Sequence, residues 1–174
     1  MHLRLEVKIT ARDYLDANFL HGGYRARLIY ALVTISIMIV IRCLEGDFTD
    51  WLLWLLTLGL GVFSSGLFWI IWPVTVSRRT ARIYAQTKEL HWPYTMEITD
   101  DGVIISSPNR GEWKVSWAEA HKWKSNDKII LVYLSDRMFR MFPRRWFASD
   151  ADFQDLKNLL LKTTGLPGKA RKIK

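Results

Sequence analysis

One cysteine, Cys43, stands in the 174 residues, which excludes an intramolecular disulfide and removes any need for an oxidising compartment. It reads as a small apolar residue at the end of a helix; palmitoylation of a boundary cysteine is the less favoured use. His2, His21, His91 and His121 lie far apart, with no His or Cys pair at metal spacing, so no metal ligand is expected. There is no glycine-rich phosphate loop, nucleophile elbow or zincin pattern. The one tight carboxylate pair, Asp100-Asp101, precedes Gly102 and reads as a turn rather than as acid–base machinery. These absences argue against an enzyme: no catalytic residue and no cofactor is expected. A hydrolase or transferase with an unrecognised site would need a large polar pocket on which titratable groups converge.

Charge is scarce in one part of the chain and one-sided elsewhere. Residues 28–72 carry Arg42 against Glu45, Asp47 and Asp50, whereas residues 73–174 carry nineteen basic and eleven acidic side chains. The mean hydropathy of zero therefore averages two opposite parts, which excludes an ordinary water-soluble globule. From Trp51 to Ser77 no residue is charged, and the 22 residues 51–72 exceed the roughly 20 needed to cross a bilayer core. Trp51 and Trp54 mark one end, Trp69 and Trp72 the other, as indoles at headgroup depth do. Pro73 is expected to stop this helix before Arg78, Arg79 and Arg82.

The earlier apolar run, Leu28–Ile41, is 14 residues long, a length that also suits a signal-peptide core or a buried helix. Extension through Tyr24, Ala26, Cys43 and Leu44, and arginines 25, 27 and 42 able to snorkel, favour a second span over residues 24–44. The acidic link 45–50 between arginine-rich flanks places both termini in the cytoplasm by the positive-inside rule. Arg25, Arg27, Arg78, Arg79 and Arg82 are then juxtamembrane anchors. Thr57, Gly61 and Ser65 form a stripe of small residues for packing on the first helix, with homodimerisation as the second use. No ionisable residue lies inside either apolar run, which argues against transport.

Outside the membrane, LRLEVKI alternates as a half-buried strand, and Thr10 with Asp13 resembles a capping box opening a helix that ends at Gly22-Gly23. Residues 1–23 are expected to join the C-terminal sheet. Residues 73–94 read as a juxtamembrane helix or linker, and residues 95–164 as short strands closed by a helix. Asp100-Asp101-Gly102 signals a hairpin because Asp-Gly tolerates positive φ, and Asn109-Arg110-Gly111 signals a second turn. The run at Lys128–Leu134, KIILVYL, is the most apolar strand and is expected to be central; Met138–Phe142 pairs with it. Ser149 and Asp152 cap a last helix, Asp150–Thr163, and residues 165–174 are a basic tail. The expected fold class is an α+β membrane protein: a two-helix transmembrane hairpin, a cytoplasmic antiparallel sheet or barrel of pleckstrin-homology-like architecture, and a C-terminal amphipathic helix.

The order of two apolar helices, ITDDGVIISS, EWKVSW, KIILVYLS, MFPRRWF and a terminal helix resembles the YcxB-like family of bacterial membrane proteins, from the N-terminal strand to Thr163. The resemblance implies a cytoplasmic, pleckstrin-homology-like domain hung from a two-helix anchor, and carries over no chemistry.

Basic and aromatic surface remains. Arg137, Arg140, Arg144 and Arg145 fall within nine residues beside Phe139, Phe142, Trp146 and Phe147. They read as a solvated face, as a contact for anionic lipid headgroups, or as a contact for a protein partner. Trp113, Lys114, Trp117, Lys122, Trp123 and Lys124 imitate a single-strand platform, but their alternation suits a core, and no nucleic acid is expected. The leading expectation is a non-enzymatic inner-membrane protein presenting an interaction module; the alternative is an immunity protein neutralising an antibacterial toxin at the inner membrane.

Overall fold

The computed structural model describes residues 2–23, 25–45, 51–107 and 111–168, with backbone alone for 25–27, 42 and 45. The acidic link at 46–50, Tyr24, the side chains of Arg25 and Arg27, the Asn109-Arg110 part of the second turn and the tail after Gly168 lie outside the described residues. The chain is α+β. In order it forms β1 (Leu3–Val7), α1 (Ala11–Gly22), α2 (Arg25–Glu45), α3 (Trp51–Gln86), β2 (Tyr94–Ile98), β3 (Gly102–Ser107), β4 (Gly111–Ser116), β5 (Lys122–Ser125), β6 (Ile129–Tyr133), β7 (Phe139–Pro143) and α4 (Asp150–Thr163). It divides into two compact units, residues 1–21 with 80–174, and residues 22–79.

In the first unit two antiparallel sheets have the orders β1-β2-β3-β4 and β5-β6-β7. The N-terminal strand pairs with β2 in the register Leu3↔Ile98 to Val7↔Tyr94. Alternation sends Leu5, Val7, Met96, Ile98, Val103, Ile105 and Val115 into one core, which Ile130, Val132 and Phe142 enter from the other sheet and Phe153, Leu156 and Leu160 enter from α4. All five residues of β6 are buried. Ile130 and Val132 join that core, while Ile129, Leu131 and Tyr133 pack with Ala17 and Leu20 of α1. Covered on both faces, β6 has no position for a charged side chain, and its one polar side-chain group, the Tyr133 hydroxyl, lies against His21.

The turns follow side-chain chemistry. The Ser149 hydroxyl accepts the Asp152 N–H at 3.1 Å and the Asp152 carboxylate accepts the Ser149 N–H at 3.2 Å, so α4 begins with a complete capping box. At the first hairpin the expectation for Gly102 is corrected. Its φ is not positive. A side chain there would overlap the Val115 carbonyl oxygen and stand 2.9 Å from Ser116 Cα, so glycine is needed for the close approach of β3 and β4.

In the second unit α2 and the body of α3 pack antiparallel. The Tyr30 and Phe68 rings stack at 4.0 Å between centroids, and a Cβ at Gly61 would meet Ile35 and Met38 side chains at 3.8 Å. Gly61 and Ser65 are buried, and the Ser65 hydroxyl donates to the Gly61 carbonyl at 2.8 Å. The opposite surfaces are apolar and exposed; Phe63 and Ile70 each keep 69% of their surface. The expected stop at Pro73 is corrected: α3 runs through it from Trp51 to Gln86. Proline removes one N–H donor, and the bonds of the flanking turns carry the helix onward. Among the described residues one helix, α3, is long and apolar enough to cross a membrane, while α2 contains the shorter apolar stretch Leu28–Ile41.

Candidate functional site

A cavity of about 400 Å³ opens in the first unit between the ends of the two sheets. Strand register explains its lining. Tyr94 lies opposite core-facing Val7, Met96 and Trp113 opposite Ile105, and Arg140 opposite Val132. Partners across an antiparallel ladder share a face, so an arginine, a tyrosine and a tryptophan project to the interior side where the apolar core gives out.

The Arg140 guanidinium carbon lies 5.8 Å from the Trp113 ring centroid, within reach of a cation–π interaction. The Arg140 Nε and the Trp113 Nε1 are both buried and make no hydrogen bond among the described residues. Arg140 forms no ion pair among the described residues. Burial pushes the Tyr94 phenol well above its ordinary pKa, against the pull of the nearby Arg140 cation, so Tyr94 is a neutral hydroxyl here. Met138 and Arg137, both exposed, stand at the rim, and Glu89 also lines it.

The four neighbouring arginines separate. Arg145 clamps Asp13 of α1: Nε donates to Oδ1 at 2.9 Å, Nη2 donates to Oδ2, and Nη2 also reaches the Lys8 carbonyl at 2.6 Å. Asp13 also accepts the Thr10 N–H and hydroxyl, each at 2.8 Å. Burial alone would raise the Asp13 carboxyl; the Arg145 and Thr10 hydrogen bonds outweigh it and hold the group below its ordinary value. Arg144 pairs with Asp150, Nε to Oδ1 at 2.7 Å. The groove holding Arg144 and Arg145 is lined by Arg12 and Lys128 as well as by Asp13, Asp16, Asp127 and Asp150, so its cations and carboxylates balance. Among the described residues Arg137 and Arg140 have no carboxylate partner. Sequence proximity had grouped four arginines that play three different structural parts.

At the far end of α1, His21 Nδ1 lies 3.1 Å from the Tyr133 hydroxyl and Lys124 donates to the His21 carbonyl at 3.1 Å. Burial, then the Lys124 and Lys122 charges, lower the His21 pKa, and burial pushes the Tyr133 phenol up to about 12. These contacts dock α1 on β6. Trp117 and Trp123 are buried, their indoles donating to the Thr99 carbonyl at 2.9 Å and the Gly165 carbonyl at 2.7 Å. Both are core residues. Among the described residues no group of three His, Cys, Asp or Glu could hold a metal ion.

The cavity-lining role of Arg140 was present in the sequence as period-two spacing: it stands two residues before Phe142, which is fully buried. Trp113, two residues before Val115, and Tyr94, two before Met96, carry the same spacing, but only the register places them beside Arg140.

No curated protein and no solved structure matches the chain. The family model described as YcxB-like protein matches residues 98–160, from the last residue of β2 to the fourth turn of α4, and this span contains Trp113 and all four arginines. The chain carries a YcxB-like domain at residues 98–160.

Proposed function

We propose that the protein is a non-enzymatic integral inner-membrane protein in which α2 and α3 form a transmembrane hairpin and the first unit is a cytoplasmic, pleckstrin-homology-like module for anionic lipid or a protein partner. The observation that carries this reading is the pairing of β1 with β2. Strands that hydrogen-bond directly lie on one side of a membrane, so the chain between Val7 and Tyr94 crosses an even number of times. If α3 spans, a second segment must span with it. The helix α2, with Leu28–Ile41 as its apolar stretch and arginines 25 and 42 at its flanks, is the segment that fits. The exposed apolar faces of both helices support the same reading, because a soluble monomer rarely leaves such contiguous surface in water. Four-stranded and three-stranded antiparallel sheets followed by a C-terminal helix support the pleckstrin-homology-like assignment. Of the four neighbouring arginines, Arg137 and Arg140 form no ion pair among the described residues, which supports them as contacts for an anionic partner. Gly61 lies against Ile35 and Met38 of α2, which supports hairpin packing as the use of the Thr57–Gly61–Ser65 stripe. No feature of the structure favours the immunity reading.

The test is fractionation and labelling of the full chain. It is expected to stay in the membrane pellet through alkaline carbonate and to leave with detergent. A cysteine placed at exposed Ser135 in a Cys43→Ser background should react with a membrane-impermeant maleimide after cell lysis and not before. Release by carbonate would overturn integral insertion; labelling of intact cells would overturn the orientation.

A further inference from the structure

The cavity between the sheets has a polar end of unusual one-sidedness. The indole N–H of Trp113 and the Nε–H of Arg140 are donors with no acceptor capacity, and both are buried without a partner among the described residues. Leaving such donors unsatisfied costs roughly 1–3 kcal/mol each, and both belong to residues that line the cavity, so an acceptor that enters and reaches them recovers that cost. The Arg140 cation favours a negatively charged acceptor, and its planar fork suits a carboxylate or phosphate. The remaining wall is apolar and includes Met96, Ile105, Leu90 and Met141, with thioethers that adapt to an irregular ligand. Arg137 and Arg140 outnumber the one lining carboxylate, Glu89.

We propose that this cavity binds a single anionic amphiphile, with its carboxylate or phosphate head on Arg140 and Trp113 and its apolar body along the methionine-bearing wall. The head is shared chemistry of free fatty acids and of anionic membrane lipids. This deepens the interaction-module reading by naming the ligand class, and it does not require the hairpin to span, since the whole lining belongs to the first unit.

The experiment titrates the full-length protein, held in nanodiscs of phosphatidylcholine, with sodium dodecanoate below its micellar concentration, in parallel with methyl dodecanoate. Saturable one-to-one binding of dodecanoate is expected, with the neutral ester at least about tenfold weaker, the worth of one charge-assisted hydrogen bond. Arg140→Gln is expected to lose about tenfold or more, and Trp113→Phe, which keeps the ring and removes the donor, several-fold. Replacing phosphatidylcholine with phosphatidylglycerol identifies the source: displaced dodecanoate means that the membrane lipid occupies the site, and undisturbed binding means that a free acid does. Absence of saturable binding, equal binding of acid and ester to the unaltered protein, or unchanged affinity in both variants would overturn the proposal. The acid–ester comparison needs no variant, so it stands even if Arg140→Gln misfolds. Carbonate extraction decides insertion separately, so failure of either claim leaves the other readable.

Discussion

Arg145→Ala is expected to destabilise the first unit by about 3 kcal/mol, more than Asp13→Ala at about 2 kcal/mol, because the two deletions leave different charges behind. Asp13 is 6% exposed. Deleting Arg145 strands its carboxylate in the interior with the Thr10 donors alone, whereas deleting Asp13 leaves a guanidinium that is already half in water. Asp13→Ala still loses the helix cap, worth about 1 kcal/mol. The double variant should resemble Asp13→Ala, since the arginine has little to do once the carboxylate is gone. Arg145→Lys should recover only part of the loss, because an ammonium cannot reach both carboxylate oxygens and the Lys8 carbonyl in one plane. Thermal unfolding followed by tryptophan emission reads all four, at about 4–8 °C per kcal/mol for a unit of this size. Equal shifts for the two single variants would mean that the pair behaves as a solvated surface bridge.

The same pair sets an acid limit. The folded Asp13 carboxyl titrates below its ordinary 3.8, so its contribution is complete at neutral pH and disappears as pH falls below that value. Unfolding temperature measured between pH 3 and pH 7 should therefore fall at the acid end for the unaltered protein, and less steeply for Asp13→Ala.

Gly102→Ala is the second large effect, about 3 kcal/mol. The added methyl meets the Val115 carbonyl oxygen and, at 2.9 Å, Ser116 Cα, both backbone atoms fixed by the β3–β4 ladder. Overpacking against a side chain can be relieved by a rotamer change; overpacking against a ladder requires the strands to part. The loss should fall on the whole four-stranded sheet, because Val103 and Val115 beside the contact are core residues. Gly111→Ala provides the contrast. That glycine has φ +76° and nothing within 4 Å of an added Cβ, so its cost is the left-handed backbone alone, about 1 kcal/mol. Comparable losses at both positions would remove the distinction between crowding and dihedral strain.

These residues also show how far the chain could be read before its structure. Local chemistry was legible: the Ser149–Asp152 and Thr10–Asp13 caps, the alternation of β1 and the bounds of α4 all depend on neighbours within four positions. Asp13 was visible as a cap, but its principal partner lies 132 positions away, and no periodicity encodes that pairing. Gly102 signalled a turn correctly and its reason incorrectly, since a close backbone approach and a positive φ leave the same residue in the sequence. Pro73 misled because its penalty is local while the helix around it is long and apolar. The arginines separate because adjacency along a strand alternates faces: Arg140 turns inward with Phe142, while Arg144 and Arg145, just beyond Pro143, find carboxylates.

The β1–β2 ladder also imposes an order on synthesis. Val7 leaves the ribosome 87 residues ahead of Tyr94, its partner, a delay of roughly 4–17 s at about 5–20 residues per second. During that interval the first strand has an unpaired edge and α1 lacks β6 to lie on. Both helices of the second unit are made before any sheet hydrogen bond can form, so closure of the domain reports that the intervening segment is complete. Closing so long a connection costs entropy that grows only with the logarithm of its length. Lengthening the link between the helices should therefore delay assembly while scarcely changing the stability of the finished domain.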